Sequence, residues 1–147
     1  MGRLLHHLTV VCLLAGGLLT GLARADVVVV VAADSPVETL TRAALTDIYL
    51  GRLNRFPDGT AAVPVDQSER SPEHEAFYRE YLGRTPAEIK SHWSRLIFTG
   101  RGRPPRSVRD GREMAEAVAA QPGAIGYLDA ALVNDSLRVV RIEGGAE

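Results

Sequence analysis

The sequence predicts an α/β fold. Three observations carry the expectation. Val27 to Val31 are five β-branched residues in succession, and such a run reads as a strand covered on both faces, typical of a parallel sheet. Further short apolar runs alternate with segments whose apolar residues recur at helical spacing, the pattern of α/β layering. Two of those helical segments open on Ser71-Pro72 and Thr85-Pro86, a capping side chain followed by proline at the first helical position.

The elements follow in order. Ser35-Pro36 breaks the valine strand, and Thr41 caps a helix with Ala44, Leu45, Ile48 and Tyr49 on one face. Gly51 stops it, as a glycine after the last helical turn does. Pro57-Asp58-Gly59 is a turn. Ala61 to Val65 reads as a second strand, with Pro64 confined to an edge, a start or a bulge. The Ser71 helix carries Phe77, Tyr78, Tyr81 and Leu82 and ends at Gly83. Thr85 and Glu88 form a capping box for a helix bearing Ile89, Trp93, Leu96 and Ile97. Residues 99 to 106, TGRGRPPR, read as a loop. Asp110 with Glu113 suggests another capping box, before Met114, Ala117 and Val118. Pro122-Gly123 closes that helix. Ala124 to Leu128 and Leu137 to Ile142 are the last strands. The aromatic residues at helical spacing read first as core.

Length and charge set bounds. An apolar run from Leu8 to Leu22 precedes Ala23-Arg24-Ala25, the pattern of a secretory leader cleaved after Ala25. Removing 25 residues from 147 leaves 122, enough for one domain over 26 to 147. Cys12 would leave with the leader, so the exported chain would hold no cysteine. Arg3 and Arg24 would leave too, and 15 basic residues would face 18 acidic ones. That balance argues against nucleic acid as a partner. His74 and His92 lack zinc-type spacing, and no nucleophile–base motif is evident. The expectation is therefore no metal, no cofactor and no catalytic residue.

Two stretches carry chemistry. The first is VPVDQSERSPEHEAFY, residues 63 to 78, where a strand turns into a capped helix. Free amides and the dipole at a helix start favour an anion. Against that, Pro72 lacks an N–H, and Asp66, Glu69, Glu73 and Glu75 surround Arg70. A capped helix with solvated acids and an anion site on Ser68, Arg70 and Ser71 both fit. The second stretch, Phe98 to Arg112, holds five arginines and one acid, Asp110. Arginine suits bidentate oxyanion contacts. Pairing with the protein's own acids, an anionic ligand, an acidic partner surface and lipid headgroups all fit this stretch.

Several blocks together resemble a known family. LTRAALTDIYLGRLNRFPDG, the following strand, the Ser-capped helix and PGAIGYLDA are similar to the phosphate-binding-protein-like family, solute-binding relatives of phosphate ABC transporters. Asp47 to Gly51 and Pro122 to Tyr127 are the most specific pieces, and the likeness runs from about residue 27 to 130. It implies a single lobe of the type 2 periplasmic-binding-protein fold, a mostly parallel sheet flanked by helices. In the family the turn after this strand resembles Arg-Ser-x-Gly-Ser-Gly-Thr. Ser68 and Ser71 match its serines, whereas Gln67, Arg70, Pro72 and Glu73 replace Arg, Gly, Gly and Thr. The resemblance implies a non-enzymatic protein that binds phosphate or a similar oxyanion weakly through Ser68, Arg70 and Ser71, with Thr99, Arg101 and Arg103 as a second arm. A membrane transporter, another envelope protein or a second copy are the partners it suggests. The alternative is an interaction or sensory module that kept the fold and lost the ligand.

Overall fold

The computed structural model describes residues 25 to 144. The expected leader lies outside these residues but for Ala25. In chain order the elements are β1 (Val27–Ala32), β2 (Thr39–Thr41), α1 (Arg42–Tyr49), β3 (Val63–Gln67), α2 (Pro72–Leu82), α3 (Pro86–Phe98), β4 (Arg106–Val108), α4 (Gly111–Ala120), β5 (Ala124–Asp129), a 3-10 turn (Ala130–Leu132), β6 (Leu137–Val139) and β7 (Arg141–Glu143).

The main sheet has the order β4-β3-β5-β1-β6, and β2 pairs with β7 apart from it. Strands β4, β3 and β5 run parallel. Strand β1 is antiparallel to both its neighbours, β5 and β6. Four of the five strands therefore point one way, and the valine run is the one that does not. Its composition reports coverage of both faces, which it has, and not direction. Val27, Val29 and Val31 join a cluster with Leu45, Ile48, Phe77, Ile89 and Trp93 from α1, α2 and α3. Val30 faces the other way, into a cluster with Met114 and Val118 of α4. The alternation follows the two-residue period of a strand. Each such side chain fully buried is worth about 1.5–3 kcal/mol.

The capping signals act as read. Thr41, Ser71, Thr85 and Asp110 are the N-caps of α1 to α4. Thr85 and Glu88 complete a capping box. Asp110 caps Arg112 and Glu113, but Glu113 reaches past it to the Arg109 N–H at 2.7 Å, so this box closes one residue early. Gly51 takes φ 73° after α1, and the edge of the Trp93 ring lies where a side chain there would stand.

Three boundaries differ from the sequence reading. Strand β3 spans 63 to 67, two residues later than expected, because Val63 is drawn to Ala124 of β5 and Gln67 to Val108 of β4. The arginine-rich loop ends in a strand, β4, that three residues without alternation do not announce. The expected last strand divides at Val140: its N–H still bonds Val29 O at 2.8 Å, and the next, Arg141 N–H, bonds Glu38 O at 2.9 Å beside β2. One segment thus serves both sheets.

Candidate functional site

Strands β3 and β4 are adjacent and parallel, and each leads into a helix start. Ser71 caps α2 just beyond β3, and Asp110 caps α4 just beyond β4. The two starts enclose a cleft of about 440 Å³, lined by Arg70, Ser71 and Glu73 on one side and Arg109, Asp110 and Arg112 on the other, with Leu132 and Gly111 against it. In open α/β sheets ligands sit outside the carboxyl ends of strands, and this cleft lies there.

Four helix-start amides are engaged, and Pro72 has none to offer. Glu73 N–H bonds Ser71 Oγ at 3.2 Å, and His74 N–H bonds Ser71 O at 3.2 Å. On α4, the Arg112 and Glu113 N–H groups bond Asp110 Oδ1, both at 3.0 Å. Ser71 is itself engaged: its Oγ stands 2.6 Å from Gln67 Oε1 and 2.5 Å from Glu73 Oε2, and its one hydrogen serves one of them. Ser68 Oγ accepts from Arg70 N–H at 3.3 Å within the turn. The Arg70 and Arg112 guanidinium groups line the same cleft.

The charge count at this junction also changes. Asp66 turns inward, where Oδ2 accepts from Tyr78 Oη–H at 2.6 Å and Oδ1 accepts from Tyr127 Oη–H and, at 2.8 Å, from Gln67 N–H. Glu75 is paired with Arg79 at 2.8 Å. The junction of β4 and α4 brings Arg109 and Arg112 to the cleft, so three arginines face Glu73 and Asp110 in its lining. Arg109 is partly committed, to Glu113 at 3.2 Å. Hydrogen bonds from the Arg109 backbone and then its side chain hold the Glu113 carboxyl below its ordinary value.

Beneath the cleft is a buried polar cluster. Gln67, at the position where the resemblance implies arginine, is 1% exposed and donates from Nε2 to Tyr127 O at 2.8 Å. His74 is buried with Nε2 3.9 Å from Asp66 Oδ2, and its Nδ1 has no partner. The Tyr49, Tyr78 and Tyr127 hydroxyls are pushed above their ordinary range, by burial first and by the Asp66 charge second.

The structure brings Arg70 and Ser71 to the cleft, and Ser68 is set in the adjoining turn. It does not bring Thr99, Arg101 and Arg103 there. Arg103 lines a different groove, with Trp93, Pro104 and Val63 near the amino end of β3. Since Val65 pairs with Arg106 in parallel register, residues before Arg106 leave the opposite end of the sheet from Ser68. Thr99 Oγ–H is turned to Arg95 O at 3.0 Å. Pairing with the protein's own acids does not account for this arm either: among the described residues no hydrogen bond or ion pair is made by the Arg101, Arg103 or Arg106 side chains. Sequence reasoning held Arg109 and Arg112 within one arginine-rich stretch and missed their place opposite Ser71. The signal was the second strand–cap–helix junction, hidden because β4 is only three residues long. Among the described residues no cluster of His, Cys, Asp and Glu is placed to hold a metal ion, and no helix is long and apolar enough to cross a membrane.

The chain folds as a mostly parallel sheet flanked by helices, with a polar cleft at the carboxyl ends of its strands, the fold of one lobe of a periplasmic binding protein. Comparison with solved structures agrees. The chain is similar to a protein from Clostridium perfringens described as a phosphate ABC transporter substrate-binding protein with bound phosphate (20% identity, TM-score 0.64, 82% of this chain and 46% of that one). It is also similar to an ABC-type phosphate transport receptor from Vibrio cholerae (18%, TM-score 0.55, 82% and 47%) and to PstS from Borrelia burgdorferi (13%, TM-score 0.61, 82% and 48%). The chain spans about half the length of these proteins. No family profile matches it, and no curated protein does.

Proposed function

We propose that this chain is an exported, non-enzymatic module that binds a small inorganic oxyanion, such as phosphate, weakly at the cleft between the starts of α2 and α4. The observation that carries the reading is the arginine excess in that cleft: Arg70, Arg109 and Arg112 against Glu73 and Asp110. Arg70 and Arg112 are the principal contacts, and Ser71 holds the α2 start between them. Ser68 shapes the turn. Thr99, Arg101 and Arg103 take no part. The likeness to substrate-binding proteins, one of them holding phosphate, supports the ligand class. The apolar run before Ala23-Arg24-Ala25 supports export to the periplasm with cleavage after Ala25. The chain spans about half of those relatives, and a second copy or a transporter subunit are the partners we propose for the open side of the cleft.

The test is thermal unfolding of the chain from Asp26, which contains every described strand and helix, against phosphate, sulfate and chloride at matched ionic strength. At one hundred times its Kd a ligand stabilises by about 2.7 kcal/mol. Replacing Arg70 or Arg112 by Glu removes a charge-assisted contact of about 1.5–3 kcal/mol, roughly a ten- to hundredfold loss of affinity. A melting temperature that phosphate and sulfate leave at its chloride value sinks the proposal and leaves the interaction-module alternative. A shift that survives both substitutions puts the site elsewhere.

A further inference from the structure

A second cavity lies at the opposite end of β3 from the oxyanion cleft, and its cause is in the sequence. Strands β3 and β4 pair from Val65 and Arg106 onward. Before that point Pro64 stands on one segment and Pro104 and Pro105 on the other, and none of the three has an N–H to extend the ladder. Both segments line a groove of about 410 Å³. Leu53, Val63, Trp93 and the prolines supply apolar walls, and Arg103 and Arg106 supply charge. No acid is among the lining residues, and none occurs in the sequence from Lys90 to Arg109. Among the described residues the Arg103 and Arg106 side chains make no hydrogen bond or ion pair, and the side-chain amides of Asn54 and Gln121 in the same lining make no hydrogen bond. The groove thus joins an apolar interior to two guanidinium groups that the protein itself does not use.

We propose that this groove is a second binding site, for a small monocarboxylate with an aromatic or branched aliphatic body. The size suits a small molecule, whose pockets start at about 300 Å³. Leu53, 37% exposed, is the one large apolar side chain of the lining that stands exposed. That is too little for the roughly 800 Å² that each partner buries in a stable protein–protein contact. The walls select an apolar body, because an inorganic oxyanion would leave Leu53 and Val63 in contact with water. The guanidinium groups select a carboxylate, which their planar fork matches. Arg103 and Pro104 each precede a proline, which holds both in extended backbone. The segment that carries the two arginines is therefore set before a ligand arrives, and ordering it costs little. The groove shares no residue with the oxyanion cleft, so the two sites act independently.

The experiment is a fluorescence titration of the chain from Asp26. Trp93 is its single tryptophan and lines the groove, so its emission reports on the site itself. Phenylacetate is the probe, with phenylacetamide as its uncharged counterpart and acetate as the anion without a ring. Phenylacetate should change the emission saturably. Phenylacetamide and acetate should each bind at least about tenfold more weakly, the first for want of the charge-assisted contact and the second for want of the buried ring. Arg103→Gln with Arg106→Gln should weaken phenylacetate binding about tenfold or more. Both side chains are exposed, so the melting temperature and oxyanion binding should stay at their wild-type values. No saturable change by about 10 mM phenylacetate overturns the proposal. So does equal binding of phenylacetate and either control, a comparison that needs no variant, and so does a double variant that binds phenylacetate like the wild type. Arg70→Glu separates the two sites: it should lose oxyanion binding and keep the phenylacetate response.

Discussion

Asp66 is the residue whose role the structure changes most, and replacing it by alanine tests the change. In the sequence Asp66 is one of four acids crowding a candidate anion site. In the structure its carboxylate is 13% exposed and accepts from Tyr78 and Tyr127, both fully buried. A hydrogen bond to a charged group is worth about 1.5–3 kcal/mol. Two such bonds put the cost of Asp66→Ala at about 3–6 kcal/mol, a large share of the roughly 5–15 kcal/mol that stabilises a domain. For a chain of this size 1 kcal/mol moves the melting temperature by about 4 °C, so a fall of roughly 12–24 °C is expected. Urea unfolding at neutral pH measures the free energy, and a double-mutant cycle of Asp66→Asn with Tyr78→Phe isolates the bond. The companion measurement is oxyanion affinity. A carboxylate spent on two buried hydroxyls repels a ligand in the cleft only weakly, so Asp66→Asn should change affinity less than about threefold. A loss of stability below about 1 kcal/mol, or a large gain in affinity, would refute the inward role.

Three further outcomes follow from the same packing. Tyr49, Tyr78 and Tyr127 have raised hydroxyl pKa values, so each stays protonated in the fold while the unfolded chain ionises near 10.0. The unfolded state then binds fewer protons, and stability, intact below 10, should fall by about 4 kcal/mol per pH unit above it for the three together; urea midpoints measured across that value will show it. Glu113 has a lowered pKa, so its contribution is present above 4.5 and is lost as pH falls through its folded value. Glu113→Gln should flatten the acid limb of the stability profile, and carboxyl NMR titration should find the Glu113 midpoint below 4.5. Gly126 of β5 lies against Met114 Sδ, and a methyl there would stand 2.8 Å from Val118 Cγ2. Gly126→Ala should therefore cost about 1–3 kcal/mol, read by denaturant unfolding.

How much of this was legible in the sequence depended on range. Local chemistry was readable: Ser71, Thr85 and Gly51 mark helix ends through bonds within a few residues of themselves, and they mark them correctly. The valine run announced burial because burial is a property of the side chains. Its antiparallel direction depends on β5 and β6, about a hundred residues away, and nothing in five valines encodes it. The same limit divided the candidate residues. Ser71 and Arg112 are 41 positions apart and share a cleft only because β3 and β4 pair in parallel. Arg101 and Arg112, 11 positions apart in one arginine-rich stretch, leave opposite ends of that pair. Asp66 counted as repulsive because its solvent partners could be read and its buried ones, Tyr78 and Tyr127, could not.

The caps that make α2 and α4 easy to read also decide what kind of anion grip the cleft can have. Ser71 takes up the Glu73 amide and Asp110 those of Arg112 and Glu113, and Pro72 removes one more. Amides in a fixed cradle recognise an oxyanion by geometry. Guanidinium groups on long side chains recognise it by charge, with a bidentate fork as their main geometric preference. The grip is therefore electrostatic, and two consequences separate it from a cradle. Affinity should fall steeply with salt, because exposed charges are screened over about 10 Å at 0.1 M ionic strength. Discrimination between phosphate and sulfate should be small, since a dianion of either offers the same pair of oxygens to a fork. Calorimetry that found strong preference for one anion, or affinity indifferent to salt, would mean that the helix-start amides are released to the ligand and that Ser71 and Asp110 turn away when it binds.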